Sequence, residues 1–236
     1  MKCGNIYVSP KSWNTIMQGI ISEEIKENLS FEKNSKLIKN FHTKKLGKIE
    51  EIGKSAANKA ANFISDMTGN PVNVGEVNVV IATPLEIKQV VKEDYKIFTG
   101  INFKGDVEGV GILVFSKDSA LKLSKSMLAE MGIDDNEDSF NEMKISVINE
   151  TCNIITSAFV DTLASYIGAS LDMSPPSFIE GSEYTIIEKI FKNYGVDDLD
   201  ILLTFKSELF SHGIGSGFEV LIVMPQNSVN SLFQKL

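Results

Sequence analysis

The chain has 236 residues, of which 43% are hydrophobic and 23% are charged, and its formal net charge is −8 at pH 7. This composition fits a folded protein and excludes global disorder, and the length allows one large domain or two small ones. All 23 basic residues are lysines. A nucleic-acid partner is therefore disfavoured, because phosphate binding needs a basic surface and base recognition favours arginine.

The chain contains no apolar stretch of transmembrane length, and its first residues do not lead into the apolar run of a signal peptide. Its two cysteines, Cys3 and Cys152, belong to no cluster with metal-ligand spacing, and the same is true of His42 and His212. The sequence therefore predicts a soluble cytoplasmic protein with reduced thiols, no membrane contact, and no metal or cofactor bound by the chain itself.

Residues 1–45 differ in composition from the rest of the chain and are predicted to form an N-terminal extension. An amphipathic pattern from Ile16 to Leu29 predicts a short helix. The following segment, residues 30–45, is polar and basic, which is typical of a linker or of a solvated helix.

Two long helices are predicted in the remaining sequence. Residues 46–67 have a helical pattern that ends ahead of Gly69 and Pro71, and residues 140–167 have a longer one that ends at Gly168. A glycine just beyond the last turn, with or without a following proline, is typical of the end of a helix.

The two halves of this region resemble each other, which indicates an internal duplication. A shift of 99 positions places Glu51 on Glu150 and superimposes the two helix ends. A shift of 109 positions places residues 109–119 on residues 218–228, and each segment predicts a strand that runs into a polar helix N-cap. Further strand-like runs are residues 77–81, 95–103 and 199–209.

These patterns predict an α/β (α+β) fold made of a duplicated helix-plus-strands unit with pseudo-twofold symmetry. Two long surface helices are expected to lie on one shared, mainly antiparallel sheet. We expect a single domain over residues 46–236, with repeat halves at about residues 46–132 and 140–236.

The second predicted helix carries polar residues on the face opposite its apolar stripe. The stripe consists of residues spaced three and four apart, which are Ile145, Ile148, Cys152, Ile155, Phe159, Leu163 and Tyr166. At 100° per residue, Glu150 lies roughly 200° and Asn153 roughly 140° around the helix axis from Ile148. Both side chains are therefore expected to be exposed.

The spacing of the polar residues matches a known signature. Ser146, Glu150 and Asn153 follow one another at intervals of four and three, and Pro176 comes after twenty-two further residues. This pattern resembles the signature of the CheC/CheX/FliY phosphatases, which reads Asp or Ser, three residues, Glu, two residues, Asn, twenty-two residues, Pro. The sequences of residues 51–61, in the first helix, and of residues 167–176, after the second, also resemble those of the family. The resemblance therefore extends over residues 46–236.

The resemblance implies an enzyme that hydrolyses the aspartyl phosphate of a CheY-like response regulator in chemotaxis. It implies that Asn153 orients the attacking water and that Glu150 pairs with a conserved lysine of the regulator. The regulator itself is expected to supply Mg²⁺, so that catalysis comes from positioning without a covalent step. The resemblance also implies the receptor deamidase CheD as a second candidate partner.

The first half departs from the signature, although Glu51 matches Glu150. The asparagine position holds Lys54, whose ammonium group offers donors but no acceptor, and the Asp/Ser and proline positions hold Gly47 and Val77. We therefore expect one active site, in the second half, and an inactive site in the first. Lys54 could instead hold an acidic partner surface, which would make the first half a docking site.

Several other features have simpler explanations. Cys152 falls on the apolar stripe, which indicates a buried inert thiol. Residues 212–217 are glycine-rich but lack the Gly-Lys-Ser/Thr of a phosphate loop, so a hairpin turn is predicted. The acidic residues 134–138 lack the features of a calcium loop and are predicted to form a solvated linker. Residues 21–29 faintly resemble the CheY-binding peptide of flagellar switch proteins, but an amphipathic helix docked on the domain is favoured.

Two other functions are compatible with the sequence. A non-catalytic module could bind CheY or CheD and regulate by occupancy, and a single Glu/Asn pair makes this alternative more credible than two pairs would. A flagellar switch component of the FliY or FliM kind is less favoured, because those proteins carry a further C-terminal domain and the sequence ends at Leu236.

Overall fold

The computed structural model describes residues 2–3, 6–9, 31–89, 91, 93–193, 196–198 and 200–236. The amphipathic segment predicted between Ile16 and Leu29 lies outside these residues. The polar segment after it is predicted to be a linker or a solvated helix. The structure has a helix there, which begins at Phe31 and continues into the first long helix. Residues 6–8 of the predicted extension pair with the sheet of the domain, and the boundary at residue 45 stays a prediction.

Six helices and ten strands are present in this part of the chain. The helices are α1 (Phe31–Thr68), α2 (Pro84–Lys88), α3 (Lys117–Glu130), α4 (Glu142–Ile167), α5 (Glu183–Asn193) and α6 (Gln226–Lys235). The strands are β1 (Lys2–Cys3), β2 (Ile6–Val8), β3 (Asn73–Val74), β4 (Asn78–Ala82), β5 (Tyr95–Gly105), β6 (Gly109–Phe115), β7 (Leu171–Met173), β8 (Ser177–Ser182), β9 (Leu202–Ser211) and β10 (Ser216–Pro225). Within the described ranges, no helix is both long and apolar enough to cross a membrane.

The strands form one sheet in the order β1–β2–β4–β9–β10–β6–β5–β7, in which β3 also pairs with β9 and β8 with β5. The pairing of β2 with β4 is parallel and the others are antiparallel. The first-half strands β3 and β4 pair with β9 of the second half, while β7 and β8 of the second half pair with β5 of the first. The two halves thus exchange strands, and the predicted shared, mainly antiparallel sheet is confirmed.

The pseudo-twofold axis passes between β6 and β10 at the centre of the sheet. Each half has the same succession of elements, namely a long helix, two short strands, a helix, two long strands and a final helix. Ile112 and Leu221, which the shift of 109 positions makes equivalent, lie directly opposite each other in the antiparallel β6–β10 ladder. A residue that faces its own equivalent lies on the symmetry axis, so the duplication predicted from the sequence is confirmed.

Helices cover both faces of the sheet, as strand β6 shows. All seven residues of this strand are buried. Leu113 and Phe115 belong to the main core with α1 and α4, whereas Ile112 and Val114 belong to a second cluster with Ile186 of α5. Successive side chains of a strand point to opposite faces, so α1 and α4 lie on one face and α5 on the other. A third cluster, under α2 and α5, extends the cover of that second face.

A glycine in β6 allows α4 to approach the sheet closely. A Cβ atom at Gly111 would lie 2.4 Å from Oγ1 and 2.5 Å from Cγ2 of Thr156, a fully buried residue of α4. Both distances are far below van der Waals contact, so the helix that carries the signature residues can take this position only against a glycine.

We expect Gly111→Ala to destabilise the fold by about 1–3 kcal/mol, because the added methyl group forces the strand and α4 apart. Urea unfolding measures the change. Gly47→Ala is the matched control, since a Cβ at Gly47 of α1 meets nothing within 4 Å; this change should stabilise the helix by up to about 1 kcal/mol. A Gly111→Ala variant as stable as the wild type would contradict the close contact.

Two lysines at equivalent positions donate hydrogen bonds to backbone carbonyls of neighbouring segments. Lys45 and Lys144 correspond under the shift of 99 positions. The ammonium group of Lys45 donates to the carbonyl of Phe233 near the end of α6, and that of Lys144 donates to the carbonyls of Glu137 and Ser139, which follow α3. The equivalent lysine of each half thus donates to backbone carbonyls, in the last turn of α6 in one case and in the loop before α4 in the other.

The sequence predicts a polar N-cap at the start of the final helix of each repeat, and the structure differs from this in the second repeat. Ser116 has this role for α3, since its Oγ accepts a hydrogen bond from the N–H of Ser119 at 3.1 Å. The equivalent residue in the second repeat is Pro225, which makes no side-chain capping bond because proline carries no polar side-chain atom. Pro225 is also the last residue of β10, so α6 follows the strand without an intervening polar cap.

Candidate functional site

The signature residues lie on α4, whose two ends have identifiable causes. Asn141 is the N-cap, and its side-chain oxygen accepts a hydrogen bond from the N–H of Lys144 at 3.0 Å. At the other end, Gly168 adopts the left-handed conformation with φ of +61°, which favours glycine. The predicted helix is confirmed, with a start at Glu142, two residues later than expected.

A fully buried lysine holds the first turn of α4 to the loop before it. The ammonium group of Lys144, which is 0% exposed, contacts the carboxylate of Asp135 at 2.6 Å. It also donates to the carbonyls of Glu137 and Ser139 at 2.6 Å and 3.2 Å. The side-chain amide of Asn141 donates to Asp135 as well, at 2.7 Å. The hydrogen bonds to Asp135, of which the one from Lys144 has the largest effect, lower the pKa of this carboxyl group to about 2.

The prediction of a solvated linker is therefore wrong for Asp135, whereas Asp134, Glu137 and Asp138 are exposed. A lysine in the first turn of a helix normally extends into water, so nothing local in the sequence indicates that Lys144 is buried. Its burial is compatible with folding because a carboxylate and two carbonyls together satisfy the ammonium group.

We expect the stability of the protein to fall in acid because of Asp135. Its folded-state pKa of about 2 lies below the value of about 3.9 for an unfolded aspartate. The pair with Lys144 thus contributes fully above about pH 4, and this contribution is lost as the pH falls towards 2. Urea midpoints measured between pH 2 and pH 5 should drop, and Asp135→Asn should drop less. An equal acid dependence in both proteins would contradict the prediction.

The signature residues are accessible on α4. Ser146 and Glu150 are exposed, and Asn153, which the sequence predicts to be exposed, is half-buried. Glu150 and Asn153 are one turn apart, so their Cβ atoms are about 5–6 Å from each other. Among the residues that the structure describes, neither side chain makes a hydrogen bond or an ion pair. A carboxylate and a carboxamide are therefore available together to a partner molecule.

The apolar stripe of α4 is confirmed except at its ends. The stripe residues that are buried as predicted are Ile148, Cys152, Ile155, Phe159 and Leu163. Ile145 is half-buried, and Tyr166 is 41% exposed. Ile167 is buried instead, and the hydroxyl of Tyr166 reaches Glu51 of α1.

Two other segments have the simple roles that the sequence predicts. Cys152 is fully buried, with its Sγ 3.5 Å from the carbonyl of Thr99, and burial raises the pKa of the thiol to about 11. Residues 212–215 of the predicted 212–217 turn connect β9 to β10, and the N–H of Gly215 donates to the carbonyl of Ser211 at 2.9 Å. The inert thiol and the hairpin turn are both confirmed. Over the described ranges, no three His, Cys, Asp or Glu side chains are arranged to hold a metal ion.

Pro176 lies in a bulge at the edge of the sheet. Between β7 and β8, residues 174–176 face only residues 101–102 of β5, and a proline fits such a bulge because it has no N–H to donate. The first-half equivalent of Pro176 is Val77. Its Cγ1 atom lies 3.3 Å from the position that a Cβ on Gly53 would take, so Val77 packs against α1 at this glycine. By the pseudo-twofold, we expect Pro176 to lie near the turn of α4 that carries Cys152 and Asn153.

The equivalent residues of the first half are already paired within the chain. The hydroxyl of Tyr166 donates to Glu51 at 3.3 Å, and the ammonium group of Lys54 contacts Glu50 at 2.6 Å. Partial burial, followed by the neighbouring Glu51 carboxylate, raises the pKa of Tyr166. The first-half equivalent of Tyr166 is Met67 of α1, whose thioether has no proton to donate.

The two halves therefore differ in more than the residue at the asparagine position. Tyr166 was assigned to the buried stripe from its spacing, and its contact with Glu51 has no signal in the sequence. Glu51 lies beside Tyr166, so Tyr166 marks the position of the first-half site along α4. Glu150 lies sixteen residues earlier on the same helix, which separates the two sites by about 24 Å. They do not form one combined site.

The fold places the chain in a structural class that includes FliY and the middle domain of FliM. FliY of Thermotoga maritima is similar to it with a TM-score of 0.64 at 18% identity, over 81% of this chain and 95% of that one. The middle domain of FliM from Vibrio alginolyticus gives a TM-score of 0.57 at 13% identity, over 80% of this chain and 99% of that one. At these identities the likeness shows the fold.

Sequence comparison narrows the class. The family model described as chemotaxis phosphatase CheX matches residues 97–194. CheY-P phosphatase CheX of Thermotoga maritima is 25% identical over 155 residues, covering 61% of this chain and 84% of that protein. A Halobacterium salinarum protein, CheC1, whose name describes a candidate CheY-P phosphatase, is 25% identical over 141 residues, covering 59% of this chain and 70% of that protein. The predicted resemblance to the CheC/CheX/FliY family is thereby confirmed.

Proposed function

We propose that the chain is a cytoplasmic phosphatase that hydrolyses the aspartyl phosphate of a CheY-like response regulator in chemotaxis signalling. The observation that supports this most is that Glu150 and Asn153 lie one turn apart on α4 and make no hydrogen bond or ion pair with any described residue. Pro176 follows them at the spacing of the phosphatase signature. The names of the two relatives, which describe CheY-P phosphatases, support the same substrate.

The proposed mechanism relies on positioning a water molecule. The Mg²⁺ ion and lysine of the regulator activate its aspartyl phosphate, and hydrolysis then needs a water in line with the phosphorus atom. The carboxamide oxygen of Asn153 accepts a hydrogen bond from this water, and the group stays uncharged, so it does not repel the phosphoryl oxygens. The half-buried position of Asn153 limits its rotamers, which reduces the entropy lost when the water is held.

Glu150 fixes how the regulator docks in this proposal. Its exposed carboxylate pairs with the regulator's lysine and sets the register that brings the phosphate to Asn153. Ser146, one turn earlier, and Pro176, in the adjacent bulge, support the geometry of this turn. The chain itself holds no metal ion in the proposed reaction, since the Mg²⁺ belongs to the regulator.

The first-half site is proposed to be inactive. Glu51 is engaged by Tyr166 and Lys54 by Glu50, so neither is available to a partner without breaking an internal contact. An ammonium group at the asparagine position would also repel the regulator's own lysine and cation.

The second candidate function is a non-catalytic module that binds CheY, or the deamidase CheD, and regulates by occupancy. It is favoured by the retention of a single Glu/Asn pair. The test is the rate of phosphate loss from a phosphorylated CheY-like regulator with and without the protein. Acceleration over self-hydrolysis supports the phosphatase, binding without acceleration supports the module, and the absence of both overturns the two proposals.

A further inference from the structure

The exposed face of α4 continues from Glu150 towards the start of the helix. Met143 precedes Glu150 by seven residues, which is two turns, about 10.5 Å along the axis and about 20° around it. Its side chain is 45% exposed. The other exposed large apolar residue described on α4 is Tyr166, which points roughly 160° away from Glu150 and contacts Glu51. Met143 is thus an apolar side chain in line with the proposed catalytic pair.

The exposed charges of α4 are all negative. Glu142, Glu150 and Asp161 are exposed, and the one lysine of the helix, Lys144, is buried. Asp161 is paired with a lysine of α1 at 3.5 Å. Glu142 and Glu150 have no ion pair with any residue that the structure describes. Met143 therefore has one available carboxylate beside it in the sequence, on Glu142, and another two turns later, on Glu150.

The backbone that carries Met143 is firmly held. Lys144, the next residue, is buried against Asp135 and two loop carbonyls, and Asn141 caps the helix two residues earlier. A side chain that starts from a fixed backbone loses less entropy when it is bound. The unbranched, polarizable side chain of methionine also adapts well to the surface of a partner.

We propose that Met143 is the apolar anchor, and Glu142 a charged neighbour, of the surface that docks the phosphorylated receiver domain. The inference rests on the proposed function and names the side chains that bind its substrate protein. A specific complex buries about 800 Å² on each partner, so a residue about 10 Å from the catalytic pair lies inside the contact. The phosphate of a receiver domain is surrounded by a divalent cation and lysine, which an acidic rim complements.

Steady-state kinetics with the phosphorylated regulator test this surface. Met143→Ala should raise KM about 5- to 30-fold and leave kcat within about twofold, because it removes docking contacts and no group at the phosphate. Met143→Leu keeps the apolar volume and should restore most of the affinity. Leu85→Ala is the matched control, since Leu85 is 43% exposed on α2, at the opposite face of the sheet, and both constants should stay at wild-type values.

Urea unfolding of Met143→Ala first establishes that the variant is folded. An unchanged KM in the folded variant would overturn the proposal, and so would a lower kcat at unchanged KM. An equal rise of KM in Leu85→Ala would also overturn it, because the effect would then not be specific to this face.

Direct binding separates this inference from the proposed function. The affinity of Asn153→Ala for a regulator that carries beryllium fluoride in place of the phosphoryl group is measured with and without Met143→Ala. If the wild type fails to hydrolyse but affinity depends on Met143, the docking surface stands and the phosphatase is rejected. If hydrolysis occurs but affinity is independent of Met143, the phosphatase stands and the docking surface is rejected.

Discussion

Asn153→Ala should lower the rate of regulator dephosphorylation about 10²-fold or more, because it removes the group that positions the attacking water. The fold should be nearly unaffected, since Asn153 makes no hydrogen bond with any described residue and alanine is the better helix former. The measurement is phosphate release under saturating regulator, together with a urea unfolding curve of the same sample.

Asn58→Ala is a suitable control for this variant. Asn58 is an exposed asparagine on the twin helix α1, and its side-chain amide donates to the carbonyl of Lys54, one turn earlier, at 2.8 Å. The same chemical change there should leave turnover at the wild-type rate. Full activity in Asn153→Ala would refute the proposed mechanism, and equal losses in both variants would show that the effect is not specific to the site.

Glu150→Ala should abolish most of the activity, whereas Glu51→Ala should leave it nearly unchanged. The two residues are equivalent under the pseudo-twofold, but Glu150 is unpaired among the described residues and Glu51 accepts a hydrogen bond from Tyr166. Loss of Glu150 removes the proposed partner of the regulator's lysine, so KM should rise strongly and kcat/KM should fall about 10²-fold or more.

Turnover and binding are to be measured separately for these variants and for Lys54→Ala. A loss of turnover in Glu51→Ala comparable to that in Glu150→Ala would sink the view that the first site is inactive. A loss of binding in Lys54→Ala at normal turnover per bound regulator would instead identify the first half as a docking surface. Lys54→Asn should rescue a second site only in part, because Gly47, Val77 and the Tyr166 contact still differ from the second half.

Some elements escaped the sequence patterns for a physical reason. Strand β8 lies at the edge of the sheet with most of its side chains outside the core, so it lacks the alternation that identifies a half-buried strand. Helix α5 does carry a signal, since Ile186, Ile187 and Ile190, together with Phe191, recur at helical spacing and are buried or half-buried. A search of the second half for the helix that follows β8 could have found it.

The sequence by itself determined the features that depend on neighbours within one turn or one repeat. The periodicity of residues 140–167 with Gly168 at their end determines α4, and the shifts of 99 and 109 positions determine the duplication. The spacing of Ser146, Glu150 and Asn153 likewise determines that they share a helix face, because a helix repeats every 3.6 residues wherever it lies in the fold.

Only the tertiary structure decided which of these features are paired. The exchange of strands between halves, the burial of Lys144 against Asp135 and the contact of Tyr166 with Glu51 join residues that no common period relates. Tyr166 and Glu51 are 115 residues apart in the chain. Such contacts depend on how the helices cross the sheet. The sequence therefore predicts that the first site is degenerate at Lys54, and only the packing shows that Glu51 is already hydrogen-bonded within the chain.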